Sequence, residues 1–234
     1  MREEERAAFT SKPSIAPFSF ARYVVTSSYL YRERIQADAT RAAILDAAGR
    51  LFPELGWTKT TIATIADEAR VSRETIYATF GNKREILRRL IERAVRGEDP
   101  DTPLLQQAAP QAVVRNADPR QLISSFSADI ARRLARVAPL VAVVGEASAE
   151  DDEAGTLYRK IHQGRRNNLA AVAKALAERG ALRRGLTVDD ATTLIWRMAS
   201  PELFLLMTQM ERLSVEGYGK ALAAELERLL LPDK

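Results

Sequence analysis

Apolar residues along this chain recur at spacings of three and four, and long Val/Ile/Thr alternations of the strand type are missing. Such spacing marks one face of an α-helix. Between 38 and 96 the pattern falls into four short pieces. Ile44, Ala47, Ala48, Leu51 and Phe52 form the first stripe. Asp38 offers it an N-cap, Pro53 should distort its last turn, and Gly56 supplies a stop. Trp57 follows as a core plug. The second piece starts after Thr60-Thr61 and carries Ile62, Ile65, Ala66 and Ala69. A tight turn, Arg70-Val71-Ser72, leads to the third, with Ser72 as its cap, Val71 and Ile76 inward and Gly81 at its end. Asn82 caps the fourth, with Glu85 in capping-box register. Its stripe is Ile86, Leu87, Leu90, Ile91 and Ala94, and it runs to about Arg96.

The segment 97–119 holds four prolines and little periodicity, which predicts a linker with one short helix. Helical periodicity resumes at Arg120 and predicts helices near 120–136, 139–149, 153–179, 188–210 and 215–231. Pro201, preceded by Ser200, should kink or break the fourth of these. Residues 1–37 read as an irregular arm. The expected organisation is an arm over 1–37, one domain over 38–96, a linker over 97–119 and a second domain over 120–234. Ala, Leu, Arg and Glu dominate the composition, and all are good helix formers except where packing overrides them. The fold class expected is all-α.

The composition narrows the chemistry. No cysteine occurs among the 234 residues, so disulfides, thiolate metal sites and Cys nucleophiles are excluded. His162 is the only histidine. A metal site needs several ligands with support behind them, so no metal is expected and His162 reads as a core or pocket residue. There is no Gly-rich phosphate loop and no recognisable acid pair, so no catalytic residue, no cofactor and no enzymatic activity are expected. No apolar run reaches the ~20 residues that span a bilayer, and no membrane partner is expected. The opening "MREEERAAF" is not followed by the apolar core of a secretory signal, so a cytoplasmic location is expected. The formal net charge is +4. That permits a nucleic-acid partner without demanding one, and the placement of the charge matters more than its sum.

Placement is informative at "VSRETIYATFGNK", residues 71–83. Two short helices separated by a tight turn make a helix-turn-helix, whose second helix enters the DNA major groove with its N-terminal residues on base edges. Arg73 sits on the first turn and can place two donors on guanine. Thr75 can meet a thymine methyl or a phosphate, and Tyr77 offers a ring and a hydroxyl. Lys83 joins main-chain amides at a helix start, which attract anions, and Thr60 and Thr61 do the same one helix earlier. Phosphate contacts position the protein and base contacts specify sequence. Arg32 and Arg34 could extend the contact as a basic arm.

From "RAAILDAAGRLF" through "GWTKTTIATIADEARVSRETIYATFGNKREIL" the chain resembles the TetR family of bacterial transcription regulators. Ile65-Ala66, Val71-Ser72, Thr75, Ile76-Tyr77, Phe80, Lys83 and Leu87 fall on that family's pattern. The resemblance implies a homodimeric, all-helical repressor: an N-terminal three-helix domain holding a double-stranded operator, and a C-terminal helical domain holding a small-molecule pocket and the dimer interface. It implies phosphate contacts at Tyr77 and Lys83 and base reading at Arg73 and Glu74. Ala63, Arg70, Ala78, Thr79 and Pro53 depart from the pattern. Arg70 stands at a common turn glycine, and a positive φ there would cost an L-residue about 1–2 kcal/mol.

For the second domain the resemblance is looser. Apolar residues of the middle helices are candidates for an effector pocket: Phe126, Ile130, Leu134, Val144, Leu157, Ile161, His162, Trp196, Phe204 and Met207. An apolar lining suits a hydrophobic ligand. The last two long helices would pair with their copies, with Ala191, Leu194, Ile195, Met198, Leu222, Leu226 and Leu229 as candidate dimer residues. Their spacing equally suits an intrachain core.

Overall fold

The computed structural model describes residues 20–97 and 102–233. All regular elements among them are helical: α1 Phe20–Lys59, α2 Ile62–Ala69, α3 Arg73–Phe80, α4 Lys83–Arg96, α5 Ala108–Arg115, α6 Pro119–Ala147, α7 Asp152–Glu178, α8 Val188–Met198, α9 Pro201–Leu205 and α10 Val215–Leu230. The chain divides into two units, Met1–Ala42 and Ala43–Lys234. The first contains the beginning of α1, where Tyr31, Arg32, Arg34 and Ile35 are exposed.

The arm expected over 1–37 is helical from Phe20, and Asp38 lies inside α1 instead of capping it. No proline or glycine interrupts 20–48, and Arg, Glu, Gln and Ala crowd the stretch before Ile44. One good cap residue cannot start a helix where the chain on both sides already favours one. Residues 1–19 lie outside the described residues. At the other end Gly56 breaks α1 (φ 74, ψ −174), a left-handed φ that suits glycine.

The expected pair of helices over 120–136 and 139–149 is one helix, α6, that passes through Pro139. Proline cannot donate to the Ala135 carbonyl. Here Val137, Ala138, Leu140 and Val141 are buried on both sides of it, so packing holds the helix across the fault. The break expected at Pro201 is present. α8 stops at Met198, Ser200 caps α9 by accepting from the Leu203 amide, and Pro201 takes the first helical position. A single π-turn, Leu206–Met210, follows.

One continuous core runs from Ile44, Phe52, Ile65, Ile76 and Leu87 through Leu122, Leu134, Val144 and Leu176 to Ile195, Tyr218 and Leu226. α6 is its axis, packed against α4, α7, α9 and α10. α10 comes closest at Gly219, where a Cβ would meet the Ser127 carbonyl oxygen at 3.3 Å and Ala131 Cβ at 3.4 Å.

Candidate nucleic-acid interface

Each helix of the helix-turn-helix is started by a neighbour in sequence. Thr61 accepts from the Thr64 amide and Thr64 Oγ1 accepts from the Thr61 amide, a complete capping box. Ser72 accepts from the Thr75 amide at 3.1 Å, and Asn82 accepts from the Glu85 amide at 2.8 Å. Glu85 does not complete a box. Its carboxylate accepts from Arg88 and Arg89, and the Arg88 contact is the main reason its pKa is lowered.

The turn between α2 and α3 is made by main chain alone. The Val71 amide donates to the Ala66 carbonyl at 3.0 Å and the Arg70 amide to Asp67 at 3.3 Å, while Arg70 takes φ 56, ψ 43. The positive φ considered from sequence is therefore present at a non-glycine residue.

On α3, Ile76 and Phe80 are buried, and Arg73, Glu74, Tyr77 and Ala78 form an exposed face. Tyr77 is 54% exposed although it is a large aromatic. Glu74 is held below its usual pKa by a main-chain amide at the helix start and by Ser72. Thr75 is half-buried, with its hydroxyl 3.0 Å from Ser72 Oγ. Thr61 is exposed at the start of α2.

Two of the candidate residues stand differently from expectation. Thr60 is fully buried. Its hydroxyl donates to the Gly56 carbonyl at 2.7 Å and lies 3.2 Å from that of Leu51, so it closes the end of α1 and presents nothing to a phosphate. Lys83 turns inward. Its ammonium donates to the Trp57 carbonyl at 2.6 Å and sits 3.9 Å above the Trp57 ring. Burial lowers its pKa, opposed by the Glu146 and Glu150 carboxylates. Glu146 also accepts from the Trp57 amide at 3.1 Å. Arg84, the residue after Lys83, pairs with Asp151 at 3.1 Å and with Glu153. The α6–α7 corner thus grips both α1 and α4. These partners are 67 and 89 residues apart, and no local pattern marks them.

The ten candidate pocket residues do not share one cavity. Phe126 and Ile130 line an apolar slot of about 60 Å³ with Leu104, Val113, Leu169 and Val172, between α5, α6 and α7. His162 and Trp196 line a second, of about 450 Å³, with Tyr158, Arg165 and Glu202 between α7 and α8. Leu134 and Val144 are buried in the core. Phe204 is buried edge-on to Tyr218, 4.9 Å between centroids. Leu157, Ile161 and Met207 are half-buried against the core. The sequence stripe could not separate slot from core because both are apolar.

Charged and aromatic side chains line the second cavity together. Tyr158 donates to Glu202 at 2.8 Å, and His162 Nε2 lies 3.3 Å from the same carboxylate. His162, followed by the Glu202 main-chain amide and Tyr158, holds Glu202 down to about 2 against the effect of burial. Burial, helped by Glu202, pushes Tyr158 up to about 12. Arg165 donates to the Ala199 and Trp196 carbonyls at 2.8 and 2.9 Å, capping α8 from across the domain. Burial pulls it down to about 10, which leaves it charged near neutrality.

Of the candidate dimer residues, Ala191, Ile195, Leu222 and Leu226 are buried within the protomer. They are intrachain core, as their spacing equally allowed, and have no surface left to give a partner. Leu194, Met198 and Leu229 are half-buried. Leu206, Met210 and Val215 are exposed.

Residues 44–90 match the family model described as bacterial regulatory proteins, tetR family. This is a TetR-family helix-turn-helix. The chain is 43% identical over 61 residues to the HTH-type transcriptional regulator TtgR of Pseudomonas putida, a stretch covering 26% of this chain and 29% of that protein. The chain therefore spans less than a third of that curated relative. Among solved structures, NalD of Pseudomonas aeruginosa, the secondary repressor of the MexAB-OprM multidrug efflux pump, superimposes with a TM-score of 0.61 at 20% identity, over 84% of this chain and 99% of NalD. FadR of Bacillus subtilis, solved in complex with stearoyl-CoA, gives 0.61 at 19% identity, over 79% of this chain and 96% of FadR. Thus the TetR-type fold extends through the C-terminal helices, whereas the sequence likeness is concentrated in the helix-turn-helix. No helix among the described residues is long and apolar enough to cross a membrane.

Proposed function

We propose that this chain is a ligand-responsive transcriptional regulator: a homodimeric repressor that binds a palindromic operator through the helix Arg73–Phe80 and is released by a small, hydrophobic effector. The observation that carries the reading is the exposed face of α3. A short helix that buries Ile76 and Phe80 while leaving Arg73, Glu74 and Tyr77 to solvent has the form of a recognition helix. Arg73 and Glu74 would read bases, Thr61, Thr75 and Tyr77 would position the helix on phosphates, and Lys83 would join them once it leaves Trp57. Two copies would place two such helices in successive major grooves, in half-sites about one helical turn apart or somewhat more. Leu194, Met198 and Leu229, with the exposed Leu206, Met210 and Val215, form the apolar surface available for pairing. The slot at Phe126 and Ile130 is the apolar candidate for the effector site, and from about 60 Å³ it would have to widen to admit an effector of drug size. An effector can shift operator binding only by its differential affinity for the two states. Operator occupancy would put the protein on the nucleoid of a bacterial cytoplasm.

The test is selection from random duplex DNA at stated salt, repeated with Arg73→Ala. A palindromic motif that loses discrimination at one base pair per half-site, by about 1–3 kcal/mol, is the expected result. Weak, salt-sensitive and sequence-blind binding would overturn the operator reading and leave a fold that binds ligand alone.

A further inference from the structure

Arg70 is one of two non-glycine residues with positive φ among the described residues, the other being Arg212. Left-handed backbone is costly for an L-residue and free for glycine. Nothing in the local structure needs an arginine there. The closure of α2 is made by the main-chain amides of Arg70 and Val71, which any residue could supply. The side chain is exposed, and no hydrogen bond or ion pair of its guanidinium is found among the described residues. Nearby acids do not claim it. Glu68 is taken by Arg50 at 2.7 Å, and Asp67 makes no ion pair with Arg70. A strained position is thus occupied by a long, exposed cation with no hydrogen bond or ion pair of its guanidinium among the described residues.

Its place suggests what the cation does. Arg70 lies two residues before the Ser72 cap and three before Arg73. When the start of α3 enters a major groove, the turn stands at the groove edge, where the phosphates of the bordering strand run. We propose that Arg70 is a phosphate-contacting residue of the DNA interface, and that the backbone strain at the turn is retained for that contact. The proposal rests on the DNA-binding reading above. A planar guanidinium with paired donors matches a phosphate better than any smaller residue that would relieve the strain.

Arg212 supplies the internal control. It has φ 59, is exposed, and lies between the π-turn and α10, far along the chain from α3. The full-length chain is compared with R70G, R70K and R212G. Each is melted, and each is titrated at several salt concentrations with both the duplex selected by wild type and a random duplex. Both glycine variants should melt at or above the wild-type Tm, which shows that they fold. R70G should weaken binding to both duplexes by the same factor and reduce the slope of log K against log salt by about 0.9 per protomer. R70K should recover most of that slope, and R212G should leave affinity and slope unchanged. An R70G protein with wild-type affinity and slope overturns the proposal, as does an R212G protein with the same loss as R70G. A wild type that binds neither duplex overturns the DNA-binding reading itself, and that result is seen before any variant is compared.

Discussion

The helix-turn-helix and the C-terminal helices both cap their helix starts locally, and they differ in the remote ties that the C-terminal helices add. In the first, Thr61, Ser72 and Asn82 each cap their own helix through the amide three residues on. In the second, ends are also tied from far away. Arg165 closes α8 from α7, 31 and 34 residues off. Tyr218 donates to the Met198 carbonyl 20 residues back, and Arg179 reaches Val114 and Asn116 more than sixty residues away. Short helices with local caps form a unit whose shape is written in a few neighbouring residues. Long helices with remote caps depend on the fold being assembled first. The proposed DNA-facing surface belongs to the first kind and the cavities to the second.

The sharpest way to break this contrast is to show that the local unit does not stand on its caps alone. Phe52 is fully buried and stacks on Trp57, 6.2 Å between centroids at 9°. Phe52→Ala should cost about 3–5 kcal/mol, read as a lower urea midpoint, although every cap of α2, α3 and α4 is untouched. A loss below about 1 kcal/mol would mean that the caps carry the unit and that the core beneath them collapses to fill the gap.

Thr60 sharpens the contrast from the other side. It was a candidate phosphate contact by position, and the structure makes it a buried donor. Thr60→Val keeps the shape and leaves the Gly56 and Leu51 carbonyls without that hydroxyl. Stability should fall by about 1–3 kcal/mol, while the folded fraction keeps its affinity for DNA and its salt slope. A drop in salt slope with unchanged stability would restore Thr60 to the interface.

These cases mark what was legible in the sequence. The bounds of α2, α3 and α4, the Ser72 and Asn82 caps, and the exposure of Arg73 and Tyr77 were readable because each depends on residues within one or two turns, whereas Thr75, read on the same solvent face, is half-buried. The start of α1 was not, because Asp38 has cap chemistry but no break in helix propensity precedes it. Two helices were expected over 120–136 and 139–149, and the burial that carries α6 through Pro139 is not a local feature. Thr60 and Lys83 were assigned by position in a motif. Their real partners, Gly56, Leu51 and Trp57, depend on how α1 ends and how α6 presents Glu146 to it. The pocket and dimer stripes could not be told from core in the sequence for a simpler reason. Apolar periodicity says that a face is covered and is silent on whether the cover is the same chain, a ligand or a second copy.

The smallest effect lies in the second cavity, where the long-range half of the comparison can be titrated. Glu202 is held at about 2, below its ordinary 4.5, by His162 first and then by its own main-chain amide and Tyr158. A carboxylate whose folded pKa is depressed stabilises the fold above the unfolded value and loses that contribution as pH falls through the folded one. The window is therefore from about 4.5 down to about 2. Other depressed carboxylates, Asp151 and Asp190 among them, titrate in acid as well, so the wild-type acid limb alone is not diagnostic. Glu202→Gln isolates the group, since the amide still accepts from Tyr158 but carries no charge. At about pH 6 the variant should melt below wild type, and the gap should narrow below about pH 4.5 and close only near about pH 2. The side chain is 51% exposed, so solvent screens the pair and the gap will be small. A constant gap across that range would mean that shape at the α8–α9 break matters there and the charge does not. An absent gap at neutral pH would remove Glu202 from the remote contacts that hold the C-terminal helices.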